Sequence, residues 1–486
     1  MKKIGILLPV LFGVWSCSDG EVLGRDPAYN GSSESLYCSE IAACPDTCRY
    51  YVEGQLKSSG DAKDGESWDS AFESIQEGIN QAYCTIQQCK ALKNCAVWVA
   101  GGDDYYYEED RRMLQMRDDV SVYGGFSKTE TALEDRPFLQ ELSYGMMSDA
   151  GGNTLSWIDH VWGDFGYIVS GADNARLDGF MIFGEDVNNG SHDPYDEGGG
   201  LLVESGAFVV ANTIFRVDTG DGYNEGGAIF LEGGDLTVES CAFNRSQSFL
   251  GGAVAVESGK LTVRNSHFYG NEADQGGAIA VLGPSEVSFS NTTFTANSAS
   301  GYGGAVYITA RETGEGSYSV LFENTLFYLN RAADWGSAVF SSIGSKVTQD
   351  SQIKNCAFLQ NTDLGEGDSV YFQEASIVNS ILWGAVQDDP TNAEVRCSIV
   401  QGGSTDDGNL DSDPLIEMVQ VTNSAYSGVQ YTYTLDANSP CIDAADGDSA
   451  PETDYLGESR MDDEATEDTG IGSPTYADIG LIEYQG

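Results

Sequence analysis

The sequence predicts an all-β chain wound as a right-handed parallel β-helix, a solenoid, with a disulfide-stapled α-helical N-terminal cap. Three observations predict it. First, one glycine-led pattern returns seven times: GGGLLVE from Gly198, GGAIFLE from Gly226, GGAVAVE from Gly251, GGAIAVL from Gly276, GGAVYIT from Gly303, GSAVFSS from Gly336 and GDSVYFQ from Gly367. A fixed internal period marks units that cannot bury their own apolar face and must stack. Second, about fifteen residues after each glycine comes a polar residue, usually Asn, and then Phe. Examples are Asn212–Phe215, Asn265–Phe268, Asn291–Phe294, Asn324–Phe327 and Asn355–Phe358, and in four copies another Asn follows three residues past the Phe (Asn271, Asn297, Asn330 and Asn361). From Phe215 to Phe358 the successive phenylalanines lie 28, 25, 26, 33 and 31 residues apart, a length that suits one coil of three short strands and three turns. Third, the repeats alternate. Ile229 and Leu231, Val254 and Val256, Ile279 and Val281, and Val306 and Ile308 are always aliphatic, while the residue between them varies. Period two with one constant face means that face is buried.

The elements follow in chain order. Residues 1–16 read as a lipoprotein signal peptide: Met1-Lys2-Lys3 is basic and Ile4 to Trp15 is an apolar run too short to span a bilayer. The run ends Val14-Trp15-Ser16-Cys17, which resembles a bacterial lipobox. That resemblance implies acylation of Cys17, membrane attachment through the lipid, and an extracytoplasmic address at the outer membrane or cell surface. Residues 17–63 read as a cysteine-containing linker. Residues 64–126 read as an N-terminal cap holding a helix and the first strands. Ala71, Phe72, Ile75, Ile79, Ala82, Tyr83 and Ile86 have helical spacing, and Ser70 with Glu73 has the form of a capping box. This helix is expected to plug the N-terminal end of the stack, where apolar coil and strand edges would otherwise face water. Cys38, Cys44, Cys48, Cys84, Cys89 and Cys95 cluster around it. In an exported chain they read as up to three disulfides, with 15 pairings open; a zinc site is disfavoured because no His lies near them. Residues 127–402 read as the β-helix, with glycine pairs at tight corners and Asn residues stacked in ladders at others. Cys241 and Cys356 take the same slot in two coils and read as small buried residues, while Cys397 and Cys441 are left to pair or stay free. Residues 403–486 read as an acidic C-terminal capping segment.

Charge narrows the partners. The chain has 76 Asp plus Glu against 24 Lys plus Arg, a net charge of −52, and after residue 400 only Arg460 is basic. Such a balance argues against nucleic acid and against anionic lipid as partners. It leaves a divalent cation as a candidate cofactor. Calcium would find oxygen ligands at Asp186, Asp193, Asp196 and Glu197, or at Asp406, Asp411 and Asp413, although neither group matches an EF-hand loop.

The start (Asp64–Phe72, Trp98–Gly101 and Tyr123–Phe126) and the end (Gly408–Leu415, Asn438–Asp443, Gly457–Arg460 and Ala477–Tyr484) resemble bacterial surface right-handed β-helix proteins, the choice-of-anchor Q domain proteins. The repeats are similar to those of chlamydial polymorphic outer-membrane proteins. The resemblance implies the β-helix fold and, from the second group, adhesion; this chain departs from that group in that its expected anchor is a lipid and not a barrel.

Function is read from what the coils display. The variable outward position carries Phe230, Tyr307, Phe340 and Tyr371, a row with about 4.8 Å between coils. Such a row is a candidate surface for a glycan or a surface protein. The loop from Ala310 to Ser319 is the competing occupant of it. The chain is therefore expected to be a binding or adhesion module. The alternatives are a calcium-assisted polysaccharide lyase or glycoside hydrolase, and a structural cell-envelope protein. For a lyase base, Arg176 or the pair Lys260 and Arg264 are the candidates. The three His (His160, His192 and His267) sit in unrelated contexts and support neither a triad nor a zinc site.

Overall fold

The computed structural model describes residues 38, 41, 43–54, 63–102, 104–106, 114–137, 155–160, 167–184, 199–217, 225–310, 316–343, 348–363, 369–372, 374–384, 393–403, 405–424 and 428–485. The chain divides into residues 1–39, of which only Cys38 is described, and residues 40–486, which hold the fold. Cys17 lies outside the described residues.

Three sheets of parallel strands stack along one axis. Among the described residues, sheet A has 12 strands from Arg49–Val52 to Ala393–Arg396, sheet B has 11 from Asp104–Tyr106 to Ile399–Val400, and sheet C has 9 from Leu114–Gln115 to Val370–Phe372. One coil runs from sheet C (Val254–Val256) through sheet A (Gly259–Arg264) to sheet B (His267–Tyr269). It then touches a four-stranded ribbon (Glu272–Ala273) before the next glycine pair. Register is kept from coil to coil: Val254 pairs with Ile279, Leu261 with Val287, and Phe268 with Phe294. Equivalent letters of the sequence therefore lie above one another.

The interior is built from those repeated letters. Phe215, Phe243, Phe268, Phe294, Phe327 and Phe358 form one ring stack, with centroids 4.5–5.0 Å apart and planes within 11° of parallel. Aromatic pairs of this kind contribute about 1 kcal/mol each beyond their burial. Beside the stack runs a buried amide ladder. Asn271, Asn297, Asn330 and Asn361 are fully buried. The Nδ2 of Asn271 donates to Asn297 Oδ1 at 2.9 Å and to Phe243 O at 3.1 Å, and the backbone N of Asn271 donates to the same Oδ1 at 3.0 Å. Asn297 and Asn330 repeat this pattern upward. A second ladder turns the chain from sheet A to sheet B. There Asn265, Asn291, Asn324, Asn355 and Asn379 all have φ between 46° and 54°, the left-handed region that Asn tolerates well. The next residue in each coil is small and buried, and Cys241 and Cys356 fill that slot as free thiols. Cys397 and Cys441 are free as well.

The glycine pairs answer two separate needs. The first glycine of a pair has positive φ, 66° at Gly276. The second lies where a Cβ would strike the next coil: at Gly277 it would fall 2.2 Å from Gly304 O and 2.5 Å from Ser298 O.

At the N-terminal end, helix α1 (Ile75–Gln88) packs Ile75, Ile79, Ala82 and Ile86 against Val52, Val97 and Val120. Gly78 allows this approach, since a Cβ there would sit 2.8 Å from Val52 and Val97 side chains. All six early cysteines are disulfide-bonded, two bridges being Cys44–Cys89 and Cys48–Cys95. Two expectations are corrected here. The helix starts later than Ser70: Ser74 is the N-cap and accepts from Gln76 N, while Ser70 ends a short 3₁₀ turn from Trp68. Ser74 and Glu77 carry the same S-x-x-E spelling four residues on. In addition, Arg49–Val52, inside the segment read as linker, pairs with Ala96–Val99 as the first strand of sheet A.

The C-terminal segment covers a flank of the stack as well as its end. Leu410 adds a last bridge beyond Ile399, and an antiparallel hairpin follows (Ile416–Ser424 with Gly428–Leu435). The outward side of sheet B is apolar in the last coils, at Leu326, Ala357, Ile381 and Ile399. Tyr433, Leu435, Ile442, Ala445, Ile479 and Leu481 bury it. Buried carboxylates hold this irregular segment. Asp454 accepts from the N–H groups of Leu456, Glu458 and Glu483. Asp478 accepts from those of Asp443 and Tyr484. Arg460 pairs with Glu483 at 2.7 Å, both buried. Burial, then the neighbouring Glu483 charge, pushes the Asp478 carboxyl up.

Candidate functional site

The outward face of sheet C departs from the expected row of four aromatics. Register does place Leu202, Phe230, Ala255, Ala280, Tyr307, Phe340 and Tyr371 in one line. Ala255 and Ala280 are fully buried, however, in a small apolar cluster with Leu250 and Leu282. Two coils of small side chains are thus overlaid by their neighbours, and the line is broken. Phe230 packs against that cluster, as Tyr307 does, and lies parallel to Tyr167 at 6.3 Å.

The other three aromatics form a continuous patch. Tyr307 stacks on Phe340 at 5.8 Å and 11°, and Phe340 on Tyr371 at 4.9 Å and 12°. Two further rings join them. Tyr302 meets Phe340 at 4.7 Å and 36°, and Trp335 meets Tyr371 at 5.2 Å and 60°. Trp335 is 45% exposed; the other four rings are half-buried. Rings stacked along the axis use their faces on each other and turn their edges outward. Trp335 lies out of that stack and is the most exposed of the five. Its place carries a sequence signal. Tyr302 and Trp335 each precede the glycine of a repeat, and their carbonyls accept from Gly276 N and Gly303 N of the preceding coils. The pre-glycine position is itself a stacked column: Glu225, Leu250, Gln275, Tyr302 and Trp335. Residues 311–315, the centre of the loop expected over this face, lie outside the described residues.

Other candidates are not brought together. Asp186, Asp193, Asp196 and Glu197 lie outside the described residues. Asp411 accepts from Gly402 N and Asp413 from Leu415 N, as turn acceptors. Asp406, Asp411 and Asp413 do not converge on one point; among the described residues the convergent carboxylate trio is Asp443, Asp462 and Asp468. Arg176 does not serve as a base. Its guanidinium donates to Asp178 at 2.7–2.8 Å, and Asp178 also pairs with buried Arg136 at 2.9 Å. Burial alone would lower the Arg176 pKa, but the Asp178 charge and hydrogen bond outweigh it and raise it. Lys260 is paired with Glu286. Of the histidines, His192 and the side chain of His160 lie outside the described residues. His267 is buried on the outward side of sheet B, near the C-terminal hairpin, with Nδ1 bonded to Thr293 Oγ1. Burial pushes its pKa down to about 4, and the Val429 backbone opposes this only in part.

The described residues thus offer an aromatic surface and one carboxylate trio. Residues 199–382 match the family described as right handed beta helix region. Among curated proteins, none matches the chain. A crystal structure of pectate lyase Pel9A is similar at 13% identity and a TM-score of 0.42, covering 90% of this chain and 97% of that one. With the matched region spanning the regular coils, the stacked parallel sheets are those of a right-handed parallel β-helix.

Proposed function

We propose that this β-helix is a binding module for neutral glycans, with the contact surface at Trp335, Tyr302 and Tyr371. The observation that carries the reading is the 45% exposure of Trp335 beside a packed aromatic patch on a rigid sheet. Indole and phenol rings bring large apolar area with few rotamers to lose, and tyrosine adds a hydroxyl for hydrogen bonding. The net charge of −52 supports a neutral glycan over a uronate-rich one, since an anionic polymer would approach against the field of the whole chain. Affinity electrophoresis through gels containing single neutral glycans tests this. Trp335→Ala and Tyr371→Ala are each expected to weaken retention about tenfold, as loss of roughly 1.4 kcal/mol of ring contact would. Phe230→Ala, outside the patch, is expected to leave retention unchanged. Retention of the Trp335 and Tyr371 variants equal to wild type would refute the site. Cleavage of any glycan during the run would replace binding with catalysis as the function.

A further inference from the structure

The carboxylate trio stands apart from the aromatic surface and does not depend on the glycan reading. Asp443 follows the Ser439–Ile442 turn with φ of 52°. Its backbone is fully engaged: the carbonyl accepts from Thr469 N at 2.8 Å and Gly470 N at 2.9 Å, and its N–H donates to Asp478 Oδ1 at 2.8 Å. This fixes the direction of the side chain. The carboxylate is fully buried, and neither oxygen has a hydrogen-bond partner. It faces two others: one oxygen each of Asp443, Asp462 and Asp468 lie within 4.8 Å of one another. Both other carboxylates are on exposed residues, so the site opens to solvent on one side.

No side-chain cation balances the three among the described residues. Arg460, the one base of this segment, is committed to Glu483. Asp463 is held in its own turn by Thr466 Oγ1 at 2.7 Å. Asp468 Oδ2 accepts from Thr475 Oγ1 at 2.8 Å, which orients that carboxylate. A buried carboxylate without a partner is costly unless it is paired, protonated or bound to a metal.

We infer that Asp443, Asp462 and Asp468 form a binding site for a hard divalent cation, Ca²⁺. The donor set is all oxygen. Carboxylate oxygens within 4.8 Å of one another can share one Ca²⁺, which holds its ligands at about 2.3–2.6 Å. The exposed side leaves room for water ligands, and a site of three carboxylates with an open side belongs to the weak range, about 10⁻⁴–10⁻³ M, typical of extracellular modules. Bound there, the ion would tie Asp443, packed on the last coils, to the exposed 462–468 stretch.

The test uses the full chain after EDTA treatment and desalting. Thermal unfolding is followed while Ca²⁺ is raised to 10 mM (about ten times the upper end of that range), because a ligand that binds only the native state must raise the melting temperature. The doubly substituted chain Asp462→Asn, Asp468→Asn is compared with a charge-matched control, Asp406→Asn, Asp411→Asn. Wild type and control are expected to show the same upward shift, and the first variant to lose it while melting in EDTA at or above the wild-type temperature. Calorimetric titration is expected to lose one Ca²⁺ in the first variant alone. Equal shifts in both variants would assign the effect to general charge screening and overturn the site, as would a wild-type chain that gains nothing from Ca²⁺.

Discussion

Replacing Asn297 by Ala tests the buried amide ladder directly. The side chain makes four hydrogen bonds. Oδ1 accepts from Asn271 N and Asn271 Nδ2, and Nδ2 donates to Phe268 O and Asn330 Oδ1. After truncation some partners keep another bond: Asn271 Nδ2 still reaches Phe243 O, and Asn330 Oδ1 still accepts from Asn297 N. The Asn271 N–H loses its acceptor in a place that water does not reach, since Asn271 and Asn297 are both fully buried. One stranded donor costs about 1–3 kcal/mol, and the lost amide volume adds to it, so the sum is about 3 kcal/mol. Asn291→Ala is the matched comparison on the other ladder. It loses longer bonds to Asn265 (3.3 Å) and Asn324 (3.2 Å) at a half-exposed corner where water can substitute. About 1 kcal/mol is expected there, part of it from the left-handed backbone that Asn favours. Urea unfolding monitored by circular dichroism compares the two under identical conditions. If both substitutions cost the same, or Asn297→Ala costs under 1 kcal/mol, the ladder does not hold the coils together as described.

Two further outcomes follow from the same contacts. Gly277→Ala is expected to destabilise by 3 kcal/mol or more, roughly, because its Cβ would meet two backbone carbonyls of the next coil; Gly402→Ala, with φ of 72° and nothing within 4 Å, is expected to cost only about 1 kcal/mol, and equal melting temperatures for the two would contradict the packing. His267 is held neutral in the fold while the unfolded chain protonates near pH 6.5, so the unfolded state gains protons first on acidification. Its contribution is present above pH 6.5 and is lost progressively down to its folded pKa of about 4, a change of about 3 kcal/mol. His267→Gln should flatten the stability profile between those two values relative to wild type, and an unchanged profile by denaturant titration would show that His267 does not titrate as described.

The sequence was most legible where the structure repeats itself. Because each coil is stacked on the last in register, Phe268 sits on Phe243 and under Phe294, and a column of like letters in the sequence is a column in space. Cys241 and Cys356 could be read as small buried residues for that reason alone. The aromatic patch was half legible. Tyr307, Phe340 and Tyr371 fell in a recognised column, but Tyr302 and Trp335 come from the turn before the glycine pair, where no alternation marks a face. The break at Ala255 and Ala280 also escaped, since a small residue in an outward column can be exposed or overlaid, and only Leu250 and Leu282 decide which. The least legible part was the C-terminal segment. It pairs once, by non-repeating contacts such as Asn355 Nδ2 to Gly480 O, and has no second copy to compare with. Asp443 is one acid among nineteen after residue 400, and burial, invisible in composition, is what distinguishes it.

The flank-docked segment has a kinetic consequence. Neighbouring coils meet across 25 to 33 residues at Asn271, Asn297 and Asn330, so the solenoid can zip up through short loop closures. The bonds from Asn324 to Thr453 and from Asn355 to Gly480 span 129 and 125 residues. Refolding should therefore separate into a fast winding phase and a slower docking phase. Between the two, the greasy strip at Leu326, Ala357 and Ile381 would stand open to water and to other molecules, and aggregation during renaturation would begin there.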